Sequence, residues 1–147
     1  MRRVTNVAFV NRNTREILLH KRVKKKYEGQ DFWAFFGGRN DPGENAIETI
    51  LREIEEELQG DTPEVGMKLE SKDLIHVCHT EVEKENELIK RDVFLVLTDK
   101  TEKDFKTKEK EGEDGVYFPF EAAKYLLFRN DIRSEIQMVQ SKVEEIL

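Results

Sequence analysis

One cysteine and three prolines in 147 residues leave little room for several specialised architectures. Cys78 alone cannot close an internal disulfide, so a small disulfide-held scaffold is excluded. Long apolar runs are also missing: the longest, Phe32 to Phe36 and Val93 to Leu97, are far short of the roughly twenty residues of a bilayer-spanning helix. The opening MRRVTNVAFVNR carries positive residues but no apolar stretch of signal-peptide length, and with the single cysteine this sets the expectation of a cytoplasmic protein. Basic charge is in deficit, with 25 Lys and Arg against 31 Asp and Glu for a net charge of -6. Broad contact with a nucleic-acid backbone is therefore not expected, and a charged small substrate would need a local basic patch.

What is present describes a charge-rich globular chain. The hydrophobic fraction is 37% and the charged fraction 38%, with Val, Ile, Leu and Phe spread along the whole length. Disorder is not expected, and the length is that of one domain, residues 1–147. The runs VTNVAFV and EILLHKR around NRNTR predict a hairpin from Val4 to Arg22. Phe32 to Phe36 reads as a strand in which Trp33 and Phe35 alternate with Phe32, Ala34 and Phe36, mostly core. It runs into Gly37, Gly38 and the turn RNDPGE. Apolar residues Ile47, Ile50, Leu51, Ile54 and Leu58 then recur at three and four residue intervals, predicting a helix over Asn45 to Leu58. Strands are expected at Leu74 to Val82 and Ile89 to Thr98, turning through Glu83 to Glu87. A long charged loop, DKTEKDFKTKEKEGEDG, precedes a last strand in VYFPF and a short helix from Glu121 to Leu127. A terminal helix carries Ile132, Ile136, Val139, Val143 and Ile146 on one stripe. The order predicts a mixed sheet covered by helices, an α/β sandwich.

The glutamates of the first helix fall into two populations. Glu48 and Glu55 point away from the apolar stripe, where a glutamate is an ordinary soluble helix residue. Glu53, Glu56 and Glu57 stand at i, i+3 and i+4, so their carboxylates converge, and like charges at that spacing repel. Converging carboxylates beside a glycine turn offer the hard oxygen ligands that Mg²⁺ or Mn²⁺ prefers, and a cation would relieve the repulsion.

Gly38 lies six residues before Glu44, Glu44 eight before Arg52, and REIEEE follows at once. This resembles the Nudix box, G-x5-E-x7-R-E-U-x-E-E-x-G-U with U bulky and apolar, over Gly38 to Gly60. Gly38, Glu44, Arg52, Glu53, Ile54, Glu56 and Glu57 all match. Gln59 and Gly60 depart from the final glycine and apolar positions, which concerns the helix end rather than the ligands, and Phe36 stands where many relatives have proline. The resemblance implies a Nudix-type α/β/α sandwich with a mixed β-sheet. It also implies hydrolysis of a nucleoside diphosphate linked to another moiety, by water attack at phosphorus with divalent metal. On that reading Glu53, Glu56, Glu57 and the Gly38 carbonyl are metal ligands, Arg52 orients a glutamate carboxylate, and Glu44 supports the site.

Outside the box the chain resembles the MutT-like nucleoside triphosphate pyrophosphohydrolases. KEGEDGVYF is similar to the loop where relatives place another glutamate near the metals, which makes Glu111 a candidate ligand or general base. FRNDI sits where such relatives place an asparagine that bonds a purine, so Asn130 either reads a base or caps the terminal helix. Arg22 and Arg39 are candidate phosphate contacts. The basic run HKRVKKK reads as a solvated loop, and HVCH, with one cysteine and two histidines, falls short of a zinc site. The expected partner is a nucleotide, a (d)NTP or modified purine nucleoside triphosphate foremost, bound by a monomer or homodimer. A binding or sensor module without turnover, or an enzyme for dinucleoside polyphosphates or nucleotide sugars, are the alternatives.

Overall fold

The computed structural model describes residues 1–22, 31–58, 68–105, 115–128 and 130–147. In chain order its elements are β1 (Arg2–Asn11), β2 (Ile17–Arg22), β3 (Phe32–Ala34), β4 (Phe36–Arg39), α1 (Ala46–Leu58), β5 (Ile75–Lys84), β6 (Glu87–Thr98), β7 (Gly115–Phe118), α2 (Phe120–Ala123) and α3 (Arg133–Ile146), with 3-10 turns at Ser71–Asp73 and Glu102–Phe105. The framework is β1 beside β6, parallel from Arg2↔Ile89 to Asn11↔Thr98. Every other strand pairing is antiparallel, so the sheet is mixed, in the order β3-β2-β1-β6-β5 with β4 on β1 and β7 on β2.

The apolar runs of β1 and β6 are continuous because both faces of these strands are covered. Val7 and Phe9 of β1 and Phe94 and Val96 of β6 join Ile50, Ile54 and Leu58 of α1 in one core. Ala8, Val10, Val93 and Leu95 join Ile136, Val139 and Val143 of α3 in the other. The result is an α/β/α sandwich, and among the described residues no helix is long and apolar enough to cross a membrane.

The expected hairpin is present, with Phe9↔Leu18 and Val10↔Ile17 in register. Its extension through Phe32 to Phe36 differs from expectation. The chain breaks at Phe35, so β3 pairs with β2 while β4 pairs with β1. Phe35 and Phe36 enter opposite cores, as alternation predicts, but the run is divided between two partner strands instead of forming one. Helix α1 starts after Asn45, whose Oδ1 accepts the Glu48 N–H at 2.8 Å while the Glu48 carboxylate accepts the Asn45 N–H at 3.1 Å, a reciprocal cap. Ile47, assigned to the buried stripe, is 39% exposed, since in the first turn it lies beyond the edge of the sheet-facing side, and Thr49 is buried in its place. The turn between β5 and β6 is tighter than expected, Glu85 and Asn86 alone, both at positive φ as a two-residue hairpin demands. The charged loop contains the 3-10 turn that buries Phe105 against Phe9. The helix expected over Glu121 to Leu127 is only the four residues of α2, and Ile146 at the end of α3 is 40% exposed.

Candidate active site

Two glycines bring β4 and α1 together. Gly37 has φ +132°, and a Cβ there would lie 2.2 Å from the Thr5 carbonyl oxygen, so only glycine fits against β1. At Gly38 a Cβ would come within 2.6 Å of the Glu53 carboxylate, which therefore rests directly on the strand.

Arg52, one residue earlier on α1, gathers the acidic groups around it. Its Nε donates to Glu44 Oε2 at 2.7 Å and its Nη2 to Glu44 Oε1 at 3.0 Å, a two-pronged pair. Nη1 donates to Glu53 Oε1 at 2.9 Å and Glu56 Oε2 at 3.3 Å, and Nη2 also reaches the Arg39 carbonyl at 3.1 Å. Glu44 accepts two further bonds, from the Asp41 N–H at 2.9 Å and the Thr49 hydroxyl at 2.8 Å. The Arg52 guanidinium first, and the Asp41 N–H second, hold the Glu44 carboxyl down to about 2. The same partnership raises Arg52 further above its ordinary range.

Glu57 is the opposite case. Burial, and then the neighbouring charge of Glu53, push its carboxyl up to about 8, with Arg22 opposing the rise. Its Oε2 is buried with no hydrogen-bond partner. Two carboxylates side by side have no donor between them, so a proton or a cation must complete the pair. Among the described residues no three His, Cys, Asp or Glu side chains stand around one point, and Arg52 holds one oxygen each of Glu53 and Glu56. The donors nevertheless fit a hard divalent cation: carboxylate oxygens, one of them orphaned and buried. Glu56 and Glu55 are both exposed, and Glu56 is distinguished by its bond to Arg52.

Arg22, at the end of β2, joins this acidic pair to a cleft of about 640 Å³ on the α3 face. Arg2, Trp33, Lys84, Arg91 and Asn130 are among its walls. Asn130 Oδ1 accepts from Lys84 Nζ at 2.6 Å. It does not cap α3; Asp131 instead accepts the Arg133 N–H at 3.1 Å. Arg39 is not brought to this cleft. It lines a separate hollow of about 450 Å³ with Arg3 and Asp41, at the end of β4 that leads into the Asn40–Gly43 turn. Glu111, Gln59, Gly60 and the lysines at 24–26 lie outside the described residues.

Within HVCH, a bulge between His76 and Cys78 puts His76 and His79 on one sheet face. Both rings meet Asp92 Oδ1, at 3.0 and 3.2 Å. The bonds to Glu81 and then Asp92 raise the pKa of His79. Arg2, Lys84 and Arg91 were not singled out from the sequence. Arg91 had a signal: by alternation it shares a face with Val93 and Leu95, both of which are buried.

The NUDIX domain family profile matches residues 1–138, and the chain belongs to the Nudix family. No curated protein sequence matches it at a significant level. Among solved structures it resembles the ORF135 protein of E. coli, with a TM-score of 0.67 at 18% identity over 96% of this chain and 89% of that one. A MutT from work on Aliivibrio salmonicida and Vibrio cholerae aligns with a TM-score of 0.64 at 22% identity, over 95% and 98% of the two chains. An Ap4A hydrolase of C. elegans aligns with a TM-score of 0.68 at 14% identity, over 99% and 100%. At these identities the likeness is one of fold. Nudix hydrolases generally require a divalent metal.

Proposed function

We propose that this chain hydrolyses a pyrophosphate linkage in a nucleoside diphosphate derivative, foremost a (d)NTP or a modified purine nucleoside triphosphate, through attack of water at phosphorus. The observation that carries the reading is the buried, unpartnered Glu57 Oε2 beside Glu53. A carboxylate pair of this kind is costly unless a cation completes it. Glu53, Glu56, Glu57 and the Gly38 carbonyl would hold Mg²⁺ or Mn²⁺. When bound, the cation neutralises phosphate oxygens and acidifies a water molecule.

The remaining roles belong to the chain itself. Arg52 fixes the rotamers of Glu53 and Glu56, and Glu44 anchors Arg52 with its own N–H and hydroxyl support. Arg22, between the acids and the cleft, is suited to steady a phosphate oxygen, while Asn130 offers its amide to a base lying in the cleft. Glu111 remains a candidate general base from the sequence resemblance. The reading assumes a cytoplasmic setting and a monomer or homodimer.

The test is a substrate panel of nucleoside triphosphates, dinucleoside polyphosphates and nucleotide sugars, with Mg²⁺ and with Mn²⁺, scored for phosphate, pyrophosphate and nucleotide products. Turnover that stops on chelation and returns with either metal is expected. Activity untouched by exhaustive chelation, or no turnover of any member, would contradict the reading.

A further inference from the structure

On the floor of the cleft, two arginines share an arrangement that the proposed chemistry does not use. The parallel register sets Arg91 of β6 opposite Val4 of β1, two residues from Arg2 on the same face. Arg91 is 13% exposed, and its nearest carboxylate, Glu135 Oε1, stands 3.7 Å from Nη1, beyond hydrogen-bond reach. Glu135 is itself buried and accepts from the Thr80 and Ser134 hydroxyls. Arg2 faces Glu87 at 3.6 Å but is more open, its side chain 43% exposed. The Nε of each arginine is buried without a partner. Each guanidinium thus has a carboxylate to balance its charge and an Nε–H without an acceptor, and of the two Arg91 is the one largely withdrawn from water. Nearby, Asn130 has its Oδ1 occupied by Lys84, which leaves its Nδ2 hydrogens to offer.

A second phosphate would add charge where charge is already balanced. A neutral group rich in acceptors would satisfy the donors without adding any. We infer that Arg91 determines base specificity in this cleft by donating to a carbonyl-bearing base edge, favouring 6-oxo purines over 6-amino purines and 4-oxo pyrimidines over 4-amino pyrimidines. The planar fork of arginine matches the O6 and N7 acceptors of an oxo purine, whereas a 6-amino group turns a donor toward a donor. Arg2 and Asn130 extend the donor wall, and the Trp33 ring on the cleft wall offers a surface for stacking.

This inference rests on the reading that the cleft receives the base of a nucleotide, so its test has separate binding and turnover arms. Calorimetry with the non-hydrolysable β,γ-methylene analogues of GTP, ITP, ATP, UTP and CTP measures binding, and kcat/KM for the natural triphosphates measures turnover. GTP and ITP are expected to exceed ATP, and UTP to exceed CTP, by about tenfold or more in both arms. Following GTP, ITP would identify the 6-oxo group rather than the 2-amino group as the feature read. Arg91→Lys keeps a cation beside Glu135 but loses the fork, and should bring the ratios within about threefold, with a melting curve to confirm folding. Selective binding without turnover would remove the hydrolase reading and leave Arg91 in its role. Wild-type ratios near one in both arms, ratios unmoved by Arg91→Lys, or no nucleotide binding at all would each overturn the assignment.

Discussion

Glu44 and Glu57 belong to one 23-residue motif and meet opposite environments. Glu44 has Arg52, the Asp41 N–H and the Thr49 hydroxyl, and its carboxyl is held at about 2. Glu57 is half-buried beside another acid with one buried oxygen unpartnered, and its carboxyl is pushed up to about 8. A carboxylate whose lone pairs are already filled by protein donors can position its neighbours but has little left for an incoming ion. One with a buried oxygen left unpartnered has a lone pair to offer. On the proposed reading the difference separates the brace of the site from its candidate ligands.

The largest effect expected from breaking that contrast is Glu57→Gln. Turnover should fall by at least about a hundredfold, because an anionic ligand is lost. The metal-free fold should be equally or more stable, since the folded-state pKa of Glu57 lies above its unfolded value and ionisation of the folded protein is penalised. Circular dichroism melting at pH 8 alongside kcat checks both halves. Glu55→Gln, on the exposed side of α1, is the control; if it is as damaging as Glu57→Gln, the assignment of helix faces fails.

Next in size, Arg52→Ala should lower turnover by roughly tenfold to a hundredfold and also lower the melting temperature. It removes two bonds to Glu44 and releases Glu53 and Glu56 together. A variant that loses activity while keeping full stability would show that Arg52 does not brace the site.

The same contrast has a pH signature. Between about 4.5 and about 8 the unfolded chain has an ionised Glu57 while the folded chain keeps it protonated, so the unfolded state binds fewer protons and metal-free stability falls as pH rises through that window. Glu44 acts in the opposite sense: its stabilisation is present above its ordinary pKa of 4.5 and is lost as pH falls toward about 2. Melting curves from pH 3 to 9 should therefore show a maximum on the acid side of neutrality without metal, and saturating Mg²⁺ should flatten the decline above it. A monotonic rise to pH 8 in metal-free protein would contradict the account of Glu57.

The smallest effect concerns Asn130→Ala, which should narrow the difference in kcat/KM between purine and pyrimidine triphosphates and leave the melting temperature in place. Asn130 makes no cap to α3, so no helix stability is lost with its side chain. A melting shift with an unchanged substrate ratio would remove it from base recognition.

Legibility in the sequence followed the range of the interactions. Helix α1 and its glutamates were readable because a 3.6-residue period ties position to face, and the box spacing lies within one continuous segment. The break at Phe35 was not, because a run of five apolar residues satisfies either core and carries no alternation to mark a change of partner strand. Ile47 was misassigned because periodicity locates a stripe but not where the sheet beneath it ends. The arginine floor of the cleft was hidden for another reason: Arg2 and Arg91 become neighbours only through the parallel pairing of strands from opposite halves of the chain. No local pattern records such a pairing.

The central claim is that Glu57 and Glu53 form a cation seat held closed by a proton. Calorimetric titration of Mg²⁺ into metal-free protein at pH 7, in two buffers of different ionisation enthalpy, tests it most directly by counting protons released. Wild type should release about one proton per bound cation, since a carboxyl with a pKa of about 8 is mostly protonated at that pH and must ionise to bind. Glu57→Gln should bind Mg²⁺ more weakly and release none. Mg²⁺ binding with no proton release in wild type, or the same release in Glu57→Gln, would contradict the claim.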